Sequence, residues 1–223
     1  MDGRLRCYRG HTTCLSSVSV DHGTLSPMLD LPLQDLGRRR PLRAVEYMHL
    51  AESGAFDDER IELLAGVLVT MSPQGADHLG VGELLQRLLF TRLNVRWFVG
   101  ANATLRLSDD SVPEPDVWVA PRRGRTYDRP VLVVEISRTS LQIDREVKRR
   151  LYAAARVPEY WLVDLPNRLV EVRTRPSRGD YRDLQVLDRD AVLRPRALPD
   201  LTISIADFLP ARPFPEPRRR KRR

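Results

Sequence analysis

The sequence has 223 residues, of which 42% are hydrophobic and 30% charged, and it carries a net charge of +7. A chain of this length can bury one substantial core, and the composition is ordinary for a soluble protein. No apolar run approaches the roughly 18 residues that a membrane span needs. No apolar stretch follows the first basic residues as it would in a secretory signal. We therefore expect a cytoplasmic protein without a membrane segment.

The two ends of the chain differ from its middle. Residues 1–40 show no sustained hydrophobic period and predict a disordered extension. Their two cysteines, Cys7 and Cys14, do not have a usual zinc spacing and are interpreted as free thiols. Residues 218–223, RRRKRR, carry six positive charges, and such a run binds phosphate backbones or is simply a solvated terminus. The predicted parts are an extension at 1–40, a folded domain at 41–210 and a disordered basic tail at 211–223.

The domain begins with a predicted helix and a predicted hairpin. Residues 42–51, LRAVEYMHLA, have the pattern of a short amphipathic helix. Two β-rich runs, 61–64 and 67–71, flank the dipeptide Ala65-Gly66, which favours a two-residue turn. Glu62 lies inside the first arm of this hairpin, where it stands between apolar neighbours.

A longer helix and two strands follow. The leucine-rich stretch 78–93 predicts a helix, and residues 97–107 predict a strand. The short strand VWVA, residues 117–120, is preceded by two prolines that fix an extended backbone and hold Asp116 at the start of the strand. Residues 121–130 predict an exposed loop.

The centre of the chain reads as strand, helix, strand. VLVV, residues 131–134, is a continuous apolar run, which is typical of a strand buried on both faces, and it ends on Glu135. EYWLVDL, residues 159–165, repeats the pattern and carries Asp164 near its end. A carboxylate at a strand end beside a helix that carries a lysine is typical of a site at the edge of an α/β sheet.

Two stripes of side chains run along the intervening helix. The first is an apolar stripe of the kind that faces a core, and it consists of Ile143, Val147, Leu151 and Ala155. The adjacent stripe has the same four-residue spacing and therefore shares one face; it consists of Asp144, Lys148 and Tyr152.

The C-terminal third predicts a β extension. One strand is predicted at 169–174, and weaker strand patterns follow at 180–187, 191–193 and 201–205. From residue 78 the order is helix, strand, strand, strand, helix, strand. This αβββαβ order predicts an α/β fold with a mixed sheet, helices on its faces, an N-terminal β-hairpin and a C-terminal β extension.

Three acidic residues occupy positions where strands begin, end or need apolar side chains: Glu62, Asp116 and Glu135. Carboxylates that converge at a sheet edge stay ionised together only if a cation lies among them. Their hard oxygen ligands suit Mg²⁺, with Mn²⁺ as a second candidate. Such an ion can polarise a phosphoryl oxygen and lower the pKa of a bound water.

Lys148 completes this set of candidate residues. Of the 37 basic residues only Lys148 and Lys221 are lysines, which suggests that arginine would not serve at position 148. A lysine offers a compact charge that can be desolvated. The alternative is an i, i+4 ion pair with Asp144, which would contribute only about 0.3–0.5 kcal/mol. His78 is interpreted as a helix-start residue outside the site, and Tyr152 and Trp161 as core residues.

These motifs resemble the signature of PD-(D/E)XK nucleases. In PEPDVWVA, Asp116 follows a proline, and VLVVEIS brings the second acid, Glu135, 19 residues later. More narrowly, residues 43–209 resemble the Uma-type restriction endonucleases, through IELLAGVLVTMSP with Glu62, PDVWV, LVVEIS and the helix that leads to VPEYWLVD. The broad signature has a lysine where this chain has Ser137, and in the narrower family Lys148 takes that place.

This resemblance implies a restriction-endonuclease-like fold and a nuclease-like domain at 41–210. It implies metal-dependent hydrolysis of DNA phosphodiesters, with Asp116, Glu135 and Glu62 as Mg²⁺ ligands and Lys148 beside the water or the phosphate. Cleavage of both strands of a duplex by one site per chain would require a homodimer. The alternative is a non-catalytic nucleic-acid-binding or regulatory module on the same fold.

Overall fold

The computed structural model describes residues 40–124, 126–127 and 129–216, with the side chain of Thr126 excepted. The predicted extension, apart from Arg40, and the arginine-rich run at 218–223 therefore lie outside the described residues. No helix in the described part of the chain is long and apolar enough to span a membrane.

A short helix and a hairpin open the domain, as predicted. Helix α1 spans Ala44–Glu52, and strands β1 (Ile61–Leu64) and β2 (Val67–Thr70) pair antiparallel. Ala65 and Gly66 between them have φ of 48° and 79°. Positive φ at both turn residues is the geometry that matches the twist of a two-residue hairpin.

A mixed sheet forms the body of the domain. Its strands lie in the order β3-β4-β6-β7-β8-β9, β5 pairs with β4 outside that row, and β6 and β7 run parallel while the other paired strands are antiparallel. The strands are β3 Trp97–Ala101, β4 Val117–Arg123, β5 Thr126–Tyr127, β6 Leu132–Ser137, β7 Glu159–Asp164, β8 Leu169–Ser177 and β9 Asp180–Leu187.

Two boundaries differ from the predictions. The strand predicted at 97–107 ends at Ala101, because the next residue, Asn102, adopts a positive φ of 44° that extended strands do not have; its N–H still bonds to the carbonyl of Asp116, which lies opposite it in the register. The loop predicted at 121–130 is partly wrong, since β4 continues to Arg123 and pairs with β5. The predicted αβββαβ order is confirmed.

Helices cover both faces of this sheet. Helix α2 (Ala76–Arg92) packs Val81, Leu85 and Leu89 against one face, together with the C-terminal segments. Helix α3 covers the other face; it consists of an α-helical start at Leu141–Ile143, a π-helical turn at Asp144–Lys148 and an α-helical end at Arg149–Ala154.

The orientation of α3 is the reverse of what its apolar stripe suggests. Asp144, Lys148 and Tyr152 are buried, whereas Val147 of the apolar stripe is 40% exposed. The polar stripe turns inward because carboxylates from distant strands lie beneath it and bind the lysine. Sequence periodicity therefore identified the residues that share a face but not the buried face.

The C-terminal segment crosses the α2 side of the sheet. Strands β10 (Val192–Leu193) and β11 (Ile203–Ser204) pair with each other, and a 3₁₀ turn follows at Ile205–Asp207. Phe214 then donates its backbone N–H to Asp77 of α2 over 3.0 Å. Part of the segment predicted as a disordered tail thus lies against the first turn of α2.

Candidate active site

The site begins with two carboxylates on neighbouring strands. Val117 of β4 pairs with Val134 of β6, and continuing this register by one residue sets Asp116 opposite Glu135. The Ile136 N–H donates to Asp116 Oδ2 over 2.7 Å, which fixes that carboxylate at the end of the sheet. Both acids are largely buried. The structure therefore brings these two predicted residues together.

The π-helical turn of α3 delivers Lys148 to these acids. A π turn holds one more residue than an α turn and is often found at functional sites. The ammonium donates to Glu62 Oε1 over 2.9 Å and to Glu135 Oε1 over 3.0 Å, and the side chain is fully buried. Burial disfavours the charged form, but the carboxylates of Glu135, Glu62 and Asp144 outweigh it and raise the pKa of Lys148, so the ammonium stays charged.

Glu62 lies on the far side of this ammonium. Its Oε1 accepts the Lys148 bond and a second bond from the Glu114 N–H over 2.7 Å. Its Oε2 is buried and has no hydrogen-bond partner in the described structure. Glu62 does not line the cavity that Asp116 and Glu135 line. Glu62, predicted as a third metal ligand, therefore belongs to the cluster through its contact with the lysine.

Two residues that the sequence did not assign to the site, Tyr152 and Asp144, also belong to this cluster. Tyr152 was interpreted as core, yet its hydroxyl donates to Glu135 Oε1 over 2.6 Å. Asp144 accepts a bond from the Ser140 hydroxyl over 2.7 Å, and its Oδ1 lies 3.9 Å from Lys148 Nζ. An ion pair with Asp144 was the alternative role considered for Lys148. This distance is longer than the bonds from Lys148 to Glu62 and Glu135. The shared face of α3 was the sequence signal for both residues.

His78 also belongs to the site. Its Nε2 lies 3.2 Å from Asp116 Oδ2, and Gln74 donates to Asp116 Oδ1 over 3.1 Å. Both residues line the cavity. His78 lies near the start of α2, as interpreted from the sequence, but its ring faces Asp116.

Burial shifts two acids of this cluster, Glu135 and Asp144, toward protonation. Burial raises the pKa of the Glu135 carboxyl well above its usual range, and the Lys148 ammonium only partly offsets this effect. Burial likewise raises the pKa of Asp144, again against the pull of Lys148. The main physical cause is the loss of hydration on burial, and neighbouring carboxylates add to it, because Lys148 is one cation near four buried carboxylates, namely Glu62, Asp116, Glu135 and Asp144.

A cavity of about 100 Å³ opens beside these residues. Asp116, Glu135, Asp144 and Lys148 line its wall, and Arg138, an exposed residue, lies at its edge. The cavity therefore joins an acidic interior to a basic rim, an arrangement that suits a cation within and a phosphate above it.

The oxygen atoms that line the cavity suit a hard divalent cation in part. Glu135 uses Oε1 for Lys148 and Tyr152, and its Oε2 has no hydrogen bond in the described part of the chain. Carboxylate oxygens are the ligands that Mg²⁺ and Mn²⁺ prefer. No three acidic, histidine or cysteine side chains of the described residues are already grouped as a metal cage. Of the three predicted ligands, Asp116 and Glu135 lie on the cavity wall, where they could hold such an ion, and Glu62 lies off that wall.

An αβββαβ core with two acids on neighbouring strands and a lysine that reaches them from a helix defines the restriction-endonuclease-like class of α/β proteins. The family model Uma2, described as "Putative restriction endonuclease", matches residues 44–206. The chain belongs to this family, as its motifs had suggested, and membership supports a nuclease function.

The fold is similar to that of a crystal structure described as a putative nuclease belonging to DUF820 from Anabaena variabilis. The TM-score is 0.60 at 18% sequence identity, and the match covers 76% of this chain and 98% of that chain. No curated protein matches the sequence. The restriction-endonuclease-like fold predicted from the sequence is thereby confirmed.

Proposed function

We propose that the protein is an endonuclease that hydrolyses DNA phosphodiester bonds with a bound Mg²⁺ or Mn²⁺ ion. The observation that carries this proposal is the charge imbalance beside the cavity. Glu62, Glu135 and Asp144 lie around one buried lysine, and a fourth buried carboxylate, Asp116, lies opposite Glu135. Buried charges that are not compensated are costly. A divalent cation would relieve this cost where the wall presents Asp116 and Glu135.

Asp116 and Glu135 would hold the ion. When bound, a divalent metal supplies polarisation of the phosphoryl oxygen and a lower pKa for bound water. His78 and the Ile136 N–H keep the Asp116 carboxylate in one orientation. Tyr152 and Lys148 do the same for Glu135, and they leave its Oε2 for the ligand.

Lys148 would stabilise charge that develops on the phosphate. Its ammonium has three donors, of which two bind Glu62 and Glu135. The remaining donor can serve the substrate or its attacking water, because Lys148 lines the cavity. We assign Glu62 to holding this ammonium and not to the metal, since Glu62 lies away from the cavity wall.

DNA as the substrate is supported by the basic rim of the cavity and by the six basic residues at 218–223. A positively charged surface binds the phosphate backbone. Cleavage of a duplex by one site per chain is best achieved by a two-fold dimer, in which each copy cuts one strand. We therefore propose that the protein acts as a homodimer on DNA.

The test is incubation with supercoiled, linear and branched DNA in Mg²⁺ or Mn²⁺, and in EDTA. We expect metal-dependent nicking or cleavage that EDTA stops and that Asp116→Asn removes. Calorimetric titration of the protein with Mn²⁺ is run in parallel. DNA binding without cleavage, together with no metal binding at millimolar concentration, would overturn the proposal in favour of a non-catalytic DNA-binding module.

A further inference from the structure

A second groove shares one lining residue with the active-site cavity. It has a volume of about 320 Å³ and shares Arg138 with the cavity. Arg138 follows the end of β6, three residues beyond Glu135, and its side chain is exposed. In the part of the chain that the structure describes, Arg138 makes no hydrogen bond or ion pair. The two depressions therefore meet at an arginine that is available to an anion.

The groove contains a second arginine with an unmet hydrogen-bond donor. Arg168 donates from Nη2 to Asp77 Oδ2 over 2.8 Å, whereas its Nη1 is buried without a partner among the described residues. A buried guanidinium donor left unsatisfied costs free energy, which a water or an anion would recover. This nitrogen is thus a second feature that points to a ligand.

The one acidic side chain of the groove wall does not oppose an anion. Both oxygens of Asp77 are occupied, Oδ2 by Arg168 and Oδ1 by the backbone N–H of Phe214. The ion pair with Arg168 neutralises its charge, so that Arg138 leaves the groove with a net positive charge. The rest of the wall is uncharged and consists of Leu165, Pro166, Ala211 and Pro213.

We infer that this groove binds a backbone phosphate of the nucleic-acid strand, a few nucleotides from the phosphate that lies over Asp116 and Glu135. Arg138 supplies a guanidinium that can contact phosphate oxygens in a bidentate manner, and Arg168 on the groove wall supplies a second guanidinium. This inference rests on the proposed function, because it takes a nucleic-acid strand as the substrate. It adds the path by which that strand leaves the cavity.

Free phosphate could satisfy the same two arginines. A strand is favoured because Arg138 lines both the groove and the active-site cavity. A strand with one phosphate over the acids extends past the cavity rim, and Arg138 lies on that rim.

The experiment measures DNA binding in EDTA, so that no cleavage interferes. Fluorescence anisotropy is recorded over a series of salt concentrations for the wild type and for Arg138→Gln. The matched control is Arg87→Gln, an exposed arginine of α2 that is absent from the lining of either depression. We expect Arg138→Gln to lower the slope of log K against log salt by about 0.9 for duplex DNA, which is one phosphate contact. The control should leave the slope unchanged.

Oligonucleotides with one neutral methylphosphonate at successive positions then locate the contact. We expect one position to weaken wild-type binding and to have no further effect in Arg138→Gln, as in a double-mutant cycle. Arg168→Lys, which keeps a charge for Asp77 and removes Nη1, should reduce sensitivity at the same position. An Arg138→Gln slope equal to that of the wild type, or no position that distinguishes the two proteins, would overturn the inference.

Two further outcomes separate this inference from the nuclease proposal. In the first, the protein cleaves no DNA, but Arg138→Gln removes the effect of the methylphosphonate. This outcome would support the strand-binding groove and contradict the nuclease proposal. In the second, inorganic phosphate stabilises the wild type against heat, Arg138→Gln abolishes this stabilisation, and the salt slope for DNA is unchanged. This outcome would identify a free-phosphate site and contradict the strand path.

Discussion

The ammonium of Lys148 lies 2.9 Å from Glu62 Oε1, although 86 residues separate the two in sequence. The contact joins the N-terminal hairpin to α3, and it occurs beside Glu135, which lines the cavity. Removing one partner of a buried pair leaves an uncompensated charge, which typically costs about 3–5 kcal/mol. Lys148 therefore has a structural role as well as the catalytic role proposed for it.

The role of Glu62 can be separated from that of a metal ligand. In Glu62→Gln we expect Mn²⁺ affinity, measured by calorimetry, to stay within about threefold of the wild-type value, a free-energy change of about 0.65 kcal/mol. Cleavage should fall by about tenfold, because Lys148 loses a charged partner that helps to position it. A Kd for Mn²⁺ raised tenfold or more would instead place Glu62 in contact with the metal.

The two cavity acids should be indispensable for cleavage. Asp116→Asn and Glu135→Gln keep the shape of each side chain and remove the charge that would hold the metal. We expect single-turnover nicking of plasmid DNA to fall by at least about 10² to 10³ in each variant, with an unchanged circular dichroism spectrum. Glu146→Gln, an exposed carboxylate on the same helix as Lys148, is the control and should cleave normally. Near-normal turnover of either cavity variant would contradict the nuclease assignment.

Lys148→Met should destabilise the metal-free protein more at high pH than at low pH. Burial raises the pKa of Glu135 and Asp144, and Lys148 opposes this rise. A carboxyl whose pKa is higher in the folded state binds protons that the unfolded state has released, so stability falls as pH increases from about 4 through the folded pKa. Without Lys148 this fall should be larger.

The measurement is urea unfolding in EDTA at pH 5 and pH 8. We expect Lys148→Met to lose about 3–5 kcal/mol at pH 8 and distinctly less at pH 5. Arg150→Met, an exposed position on α3, serves as the control and should lose little at either pH. An equal loss at both pH values would mean that the lysine does not compensate the buried acids.

The basic run at 218–223 should contribute to DNA affinity without reading sequence. The described part of the chain ends at Glu216, two residues before this run. The Glu216 carboxylate accepts a bond from the Ala76 N–H and lies near Gly75, which lines the cavity. Replacing the six basic residues by glutamine should weaken binding and lower the salt slope by up to about 0.9 for each lost phosphate contact. Cleavage at saturating DNA should survive. An unchanged slope would mean that the run is only a solvated terminus.

Most of the fold could be predicted from the sequence because its signals are local. Ala65-Gly66 between two β-rich runs indicated a turn with positive φ, and the hairpin has that geometry. Continuous apolar runs before Glu135 and around Trp161 indicated strands buried on both faces, and β6 and β7 lie at the centre of the sheet. The same patterns placed Asp116 directly before β4, as observed, and Glu135 at the end of its strand, whereas β6 continues to Ser137.

The arrangement of the site depended on the tertiary structure. Four-residue spacing showed that Asp144, Lys148 and Tyr152 share one face of α3, but the free energy of burying that face depends on Glu62 and Glu135, which come from separate strands. Local periodicity favoured burial of the apolar stripe. Hydrogen bonds and charge compensation between residues far apart in sequence favoured the polar stripe, and they placed Glu62 against the lysine instead of on the cavity wall. The sequence by itself therefore determined the strands and the helix that carry the candidate residues, whereas long-range electrostatic contacts decided which face of α3 is buried and which candidates line the cavity.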